Sequence, residues 1–167
     1  FYFSFFFFFF FNAISFIHAY EVSPGVLRTP DTQFENLEDY SFDPNYIEID
    51  GLRIHYLDEG PKNGDPIFLL HGLPTWSYLF RTMIPVLTDA GHRVIVPDLV
   101  GFGKSDKFVS KYDYSYEFHI NTMKALVGQL DLREATFFGQ DWGGMIGLRV
   151  VACLLYTSDA ADDRNWG

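Results

Sequence analysis

One stretch constrains this chain more than any other: Thr136-Phe137-Phe138-Gly139-Gln140-Asp141-Trp142-Gly143-Gly144. An apolar, β-prone run from Ala135 to Phe138 leads into Gly-x-Asp-x-Gly-Gly. Helix-compatible residues follow at Met145, Ile146, Leu148, Arg149, Val150 and Val151. Strand, sharp turn and helix in that order predict a nucleophile elbow. Such a turn strains its central residue, so the flanking positions must be small, as Gly139, Gly143 and Gly144 are. The helix N-terminus beyond the turn aims free N–H groups at any anion that forms there. The better-known elbow carries Ser at its centre. This one carries Asp141, so the candidate nucleophile is a carboxylate.

A carboxylate attacks carbon well when the leaving group departs directly, as in displacement of halide or opening of an epoxide. The product is an ester bonded to the protein, which water must then cleave. That second step needs a base for the water and donors for the ester oxyanion. Trp142 follows the candidate nucleophile, and its indole N–H can only donate, which suits a departing halide. The plainer reading is a helix-capping Asp beside a packing Trp, and the motif alone leaves both open.

Composition narrows the classes. The 167 residues suit one domain or part of one. A net charge of −10, a pI near 4.7 and the lack of a basic stripe argue against a nucleic-acid partner. The single cysteine, Cys153, excludes an internal disulfide framework and a Cys-based zinc site. His55, His92 and His119 fall in strand, turn and helix settings without carboxylates at metal spacing. They read as surface or packing histidines, and no metal or cofactor is expected.

Phe1 to Ile17 is nearly all aromatic and apolar. It lacks the basic start and small-residue cleavage site of a signal peptide and is short for a span. A poly-Phe run is also what a translated poly-T tract gives. Residues 1–20 are therefore set apart as an artefact or apolar leader, and residues 21–152 as the domain. The expected setting is cytoplasmic. A genuine Phe-rich leader would instead imply a membrane or secreted protein.

Residues 26–44 read as an extended arm with aromatic anchors. Tyr46 to Asp50 and Leu52 to Asp58 alternate apolar and polar around Asp50-Gly51, which predicts a hairpin. Pro66 to Leu70 and Arg93 to Asp98 read as buried strands. Helical periodicity runs from Trp76 to Ala90, with Pro85 as a kink or break, and again from Tyr114 to Leu130. Strands alternating with helices predict an α/β fold: a mostly parallel sheet flanked by helices, with an antiparallel hairpin at its start. After Val151 the pattern is expected to end, and residues 153–167 read as a non-native tail without structure.

The motifs resemble the haloalkane dehalogenases of the α/β-hydrolase superfamily, and within them the subfamily with Glu in a His-Gly-Glu-Pro-Thr-Trp motif. The resemblance covers nearly all of residues 26–151. It rests on the arm from Arg28 to Tyr46, on His55 to Gly60, on His71 to Arg81, on Pro97 to Lys107 and on Gln140 to Gly144. It implies the N-terminal half of an α/β-hydrolase fold, with the cap and C-terminal part absent. It also implies Asp141 as nucleophile, Trp142 as a halide donor, and the backbone N–H groups of Leu73 and Trp142 as the oxyanion hole. The substrate class would be halogenated alkanes. Leu73 departs from the family, where Glu or Asn is usual. A backbone role survives that change, but a side-chain donor does not.

In this resemblance His71 is structural rather than a base, and Asp98 and Asp106 anchor the loop between them by local hydrogen bonds. The chain order of nucleophile, acid and His would place the acid and base after the elbow helix. These residues alone would then form the alkyl ester and stall, or fail to fold. Two other readings are an epoxide hydrolase or other Asp-nucleophile hydrolase, and a non-catalytic binding module on the same fold.

Overall fold

A computed structural model describes residues 19–162, with side chains described through residue 153. The Phe-rich stretch at 1–17 and residues 163–167 lie outside it. The strands are β1 (Tyr20–Ser23), β2 (Val26–Arg28), β3 (Asn45–Ile49), β4 (Leu52–Glu59), β5 (Pro66–Leu70), β6 (Arg93–Pro97), β7 (Lys107–Phe108) and β8 (Thr136–Gly139). The α-helices are α1 (Met83–Asp89), α2 (Tyr116–Gln129) and α3 (Trp142–Asp162).

The larger sheet has the order β3-β4-β6-β5-β8. Its first hairpin turns through Asp50 at φ 51° and Gly51 at φ 78°. Both are left-handed, as a tight two-residue β-turn requires. The sheet is more evenly mixed than a mostly parallel one. β4 returns antiparallel onto β6, while β5 runs parallel to both β6 and β8, so two of the four pairings are parallel.

Strand alternation builds a core on each face. Phe68, Leu70 and Ile95 face Met123 and Leu126 of α2 and Ile146 and Val150 of α3. Ile67, Leu69, Val94 and Val96 face Phe80 and Ile84 on the other side. Burying each such side chain contributes roughly 1.5–3 kcal/mol. The expected α/β layering, with helices on both faces, follows from this division.

Four elements differ from the sequence reading. The arm is not simply extended: β1, β2 and β7 pair as a second, three-stranded sheet. Its anchors do pack, with Tyr40 buried and Leu37 and Phe42 against the second core. The helix expected over 76–90 is split into a 3-10 turn at Ser77–Phe80 and α1. Pro85 is the third residue of α1, and its ring forbids a helix running back through the Arg81 carbonyl, so the break falls before it. The helix expected from Tyr114 starts at Tyr116, because Ser115 caps it by accepting from the Phe118 N–H at 3.0 Å. Finally, α3 continues to Asp162 rather than ending near Val151. No Gly or Pro interrupts residues 148–162, so the backbone has no stop signal.

Among the described residues β8 pairs only with β5 and forms one edge of the sheet. Beside it a groove of about 510 Å³ is lined by Leu132, Phe137 and Val150. No helix among the described residues is long and apolar enough to cross a membrane.

Candidate active site

The site begins with a register. β5 and β8 run parallel, with Leu70 opposite Gly139, so their C-terminal ends finish side by side. Two loops therefore leave the sheet together: His71-Gly72-Leu73 after β5 and Gln140-Asp141 after β8. The Gln140 N–H donates to the Leu70 carbonyl at 3.0 Å and ties the loops at their base. The Gln140 side-chain oxygen then accepts from the Gly72 N–H at 3.2 Å. One residue further on, the Leu73 N–H donates to Asp141 Oδ2 at 3.0 Å.

Asp141 sits at φ 51°, in the left-handed region that a non-glycine residue enters at a cost of order 1–3 kcal/mol. Its neighbours hold it there. A Cβ on Gly72 would lie 2.6 Å from Asp141 Oδ2 and from the Gln140 carbonyl. A Cβ on Gly143 would run into the Leu70 and His71 carbonyls. Gly139 is crowded by Phe137 and by the Gly144 backbone, whereas Gly144 itself has room, with nothing nearer than 3.6 Å. Only two of the three flanking glycines are thus forced by packing. Gly72, which the motif reading did not single out, joins them.

Trp142 opens α3, so its backbone N–H has no intrahelical acceptor. The backbone donor that reaches the Asp141 carboxylate is the Leu73 N–H. The Trp142 ring is 39% exposed and meets the Tyr116 ring edge-on at 6.2 Å between centroids. Leu73 and Trp142 also border a largely apolar cavity of about 310 Å³ whose wall includes Phe102, Tyr114, Tyr116 and His119.

His71 is fully buried, and both of its ring nitrogens are engaged. Nδ1 donates to the Gly72 carbonyl at 3.1 Å, and Nε2 accepts from the Leu99 N–H at 2.9 Å. Burial holds the imidazole below its ordinary pKa against the pull of Asp98. A neutral ring with no free nitrogen cannot serve as a base, and it ties the loop after β5 to the loop after β6.

Asp98 and Asp106 anchor the loop between them by local bonds, such as the Ser105 hydroxyl on the Asp98 carbonyl and the Gly101 N–H on the Asp106 carbonyl, and by distant ones as well. Asp98 is completely buried and accepts from the Ser77 N–H at 2.7 Å and the Lys104 N–H at 2.8 Å, with His55 Nδ1 also at 2.8 Å. Burial alone would push its carboxyl up. The hydrogen bond and charge of His55, with His71 and the Ser77 amide, outweigh that and hold it below the usual range. Asp106 takes a two-pronged bond from Arg28 at 2.8 and 2.9 Å and the Arg53 N–H at 2.8 Å. Lys104 lies in the loop itself, and the other partners lie on β2, on β4 and in the 3-10 turn before α1. His55, expected as a surface or packing residue, is a buried partner of a carboxylate. Among the described residues no cluster of His, Cys, Asp or Glu could hold a metal ion.

Sequence reasoning missed two residues here. Gln140 was read only as part of the elbow motif, yet its side-chain oxygen accepts from the Gly72 N–H and holds that loop. His119 was read as packing, yet it lines the cavity beside Trp142. A helix residue one turn inside a Ser cap, near a turn that carries function, was the available signal.

Comparisons with known proteins show what the chain is similar to. A family model described as alpha/beta hydrolase fold matches residues 65–153, just over half of the chain. A haloalkane dehalogenase from Psychrobacter cryohalolentis is 60% identical over 132 residues, which cover 76% of this chain and 44% of that protein. The structure of a tetrameric haloalkane dehalogenase from Paraglaciecola agarilytica NO2 superposes with a TM-score of 0.75 at 47% identity, covering 78% of this chain and 45% of that one. An epoxide hydrolase mutant from Vigna radiata superposes with a TM-score of 0.60 at 28% identity, covering 66% and 34%. The chain spans less than half the length of these relatives. The matched region begins just before β5 and runs into α3, so it contains both loops of the site, and on that match the chain belongs to the α/β-hydrolase fold family.

Proposed function

We propose that Asp141 is the nucleophile of a haloalkane dehalogenase-type reaction. Its carboxylate attacks the carbon bearing the halogen in line. The C–O bond forms as the C–X bond breaks, and the halide leaves with both electrons of that bond. The balance needs no redox partner. The resulting ester is later cleaved by water to an alcohol. The N–H groups of Leu73 and Trp142 hold the oxyanion of that second step, and the Trp142 indole N–H receives the halide. Substrates would be short halogenated alkanes that fit a cavity with apolar walls, and the setting a cytoplasm that keeps Cys153 reduced.

The observation that carries this reading is an Asp, not a Ser, at a left-handed apex, with the Leu73 N–H on its carboxylate. The 60% identity to a protein named as a haloalkane dehalogenase supports the same substrate class. Among the described residues no histidine bonds to Asp141, so the displacement step is the one these residues equip. An epoxide hydrolase reading draws on the Vigna radiata likeness. The two are separated by offering 1-bromobutane and styrene oxide to the 167-residue chain. Bromide release without reaction of styrene oxide supports halide displacement. Consumption of styrene oxide with no bromide release selects the epoxide reading instead.

A further inference from the structure

The backbone ladder between β5 and β8 ends with the Gln140 N–H on the Leu70 carbonyl at 3.0 Å. Beyond it the two loops are joined by side chains. Gln140 Oε1 accepts from the Gly72 N–H at 3.2 Å, and Asp141 Oδ2 accepts from the Leu73 N–H at 3.0 Å. Successive amides of one loop thus meet successive side chains of the other. The first acceptor is a neutral amide, and the second is the candidate nucleophile itself.

The peptide between Gly72 and Leu73 carries the donor, and its carbonyl end is well held. The Gly72 carbonyl accepts from the Thr75 N–H at 2.9 Å, the Thr75 hydroxyl at 2.8 Å and His71 Nδ1 at 3.1 Å. All of these donors belong to the same loop, so they shape it without registering it against the elbow. Gly72 has no side chain, and a glycine backbone turns more freely than any other. A Cβ there would meet Asp141 and the Gln140 carbonyl, so that freedom is built into the site. The aim of the Leu73 N–H at Asp141 therefore rests on its own bond and on the neighbouring bond to Gln140.

These two bonds respond differently to the reaction. While Asp141 is a carboxylate, its charge draws the Leu73 N–H to Oδ2, and charge-assisted bonds are about twice as strong as neutral ones. With Oδ2 tied, Oδ1 attacks, and Oδ2 becomes the carbonyl oxygen of a neutral ester. The charge that drew the donor is then gone. Yet the donor is needed next, when a nucleophile adds to the ester carbon and the carbonyl electron pair moves onto Oδ2. Gln140 is neutral throughout, so its bond keeps its strength. We propose that Gln140 is a positioning residue whose side-chain carbonyl keeps the Leu73 N–H on Oδ2 after alkylation has removed the Asp141 charge. The assignment rests on the halide-displacement reading above and deepens it.

The test separates the two steps. The 167-residue chain is alkylated with 1-bromobutane, and the ester on Asp141 is then cleaved with hydroxylamine, each step timed by mass spectrometry. The hydroxylamine nitrogen adds to the ester carbon, the butoxy group leaves as butanol with a proton from that nitrogen, and a hydroxamic acid remains on Asp141. Gln140→Met and Gln140→Ala remove the acceptor. The residue is exposed, so neither opens a core cavity, and urea midpoints check the fold. Both variants are expected to slow ester cleavage roughly three- to ten-fold relative to adduct formation, the scale of one neutral hydrogen bond. Equal slowing of both steps means that Gln140 only braces the elbow, and overturns the assignment. Cleavage at the parent rate also overturns it and leaves Asp141 standing as the nucleophile. No adduct on Asp141 in the parent chain overturns the halide-displacement reading, and the assignment falls with it.

Discussion

The backbone N–H of Leu73 donates to Asp141 Oδ2 at 3.0 Å across 68 residues of chain. The contact exists because β5 and β8 end in register and Gly72 leaves room for the carboxylate. It also explains how Leu can occupy this position. The donor comes from the backbone, and the side chain is free to be apolar.

Asp141→Asn separates chemistry from fold. Asn enters the left-handed region more readily than most residues, so the turn keeps its shape. Its amide is no nucleophile toward an alkyl halide. Halide release is expected to vanish, while the urea midpoint shifts by no more than about 1 kcal/mol of stability. Retained release in the variant would remove Asp141 from the reaction.

The two glycines after Trp142 respond in opposite directions. A methyl group on Gly143 meets backbone carbonyls that cannot swing away, so Gly143→Ala is expected to cost about 1–3 kcal/mol. Gly144 lies inside α3, where a methyl group would make only ordinary contact with the Gly139 backbone at 3.6 Å, so Gly144→Ala gains about 0.5–1 kcal/mol of helix stability. Chemical denaturation of both variants reads the sign directly.

Acid weakens the fold in two stages. His71 has a lowered pKa in the folded chain and regains its ordinary one on unfolding. The unfolded chain therefore binds the extra proton, and stability falls as pH drops below about 6.5. Asp98 is also held low. Its contribution is full above the unfolded value, about 3.9, and is lost as pH falls through the folded one. Urea midpoints at pH 7.5, 5.5 and 3 are expected to decline in that order. His71→Asn is expected to flatten the upper part of the decline, and an unchanged slope there would count against this role.

The edge strand carries a solubility cost. Phe138 is 47% exposed on β8, which has one free side among the described residues. Such an edge invites pairing with another chain, and Lys is a common natural guard against it. Phe138→Lys is expected to reduce concentration-dependent association in light scattering.

How far the sequence could be read depends on how local each signal is. The hairpin at Asp50-Gly51, the apolar run Pro66–Leu70 and the strand–turn–helix around Asp141 are each written within a dozen residues, and each forms where expected. The sheet of β1, β2 and β7 joins residues about eighty positions apart through strands of two to four residues, too short for any periodicity to register. The same limit applied to polar residues. Asp98 and Asp106 were legible as loop anchors, but their partners on β2 and β4 are set by tertiary packing. His55 looked like any strand histidine until Asp98 was placed beside it. The role of Gln140 needed the neighbouring loop, since its partner Gly72 is far away in sequence.

The central claim is that Asp141 becomes alkylated. The direct measurement is peptide mass spectrometry after incubating the 167-residue chain with 1-bromobutane, alongside a bromide count. The account predicts one butyl group per chain, located on Asp141, with one bromide released for each. Bromide release with the butyl group on another residue, or no adduct on Asp141 in a folded chain, would contradict it.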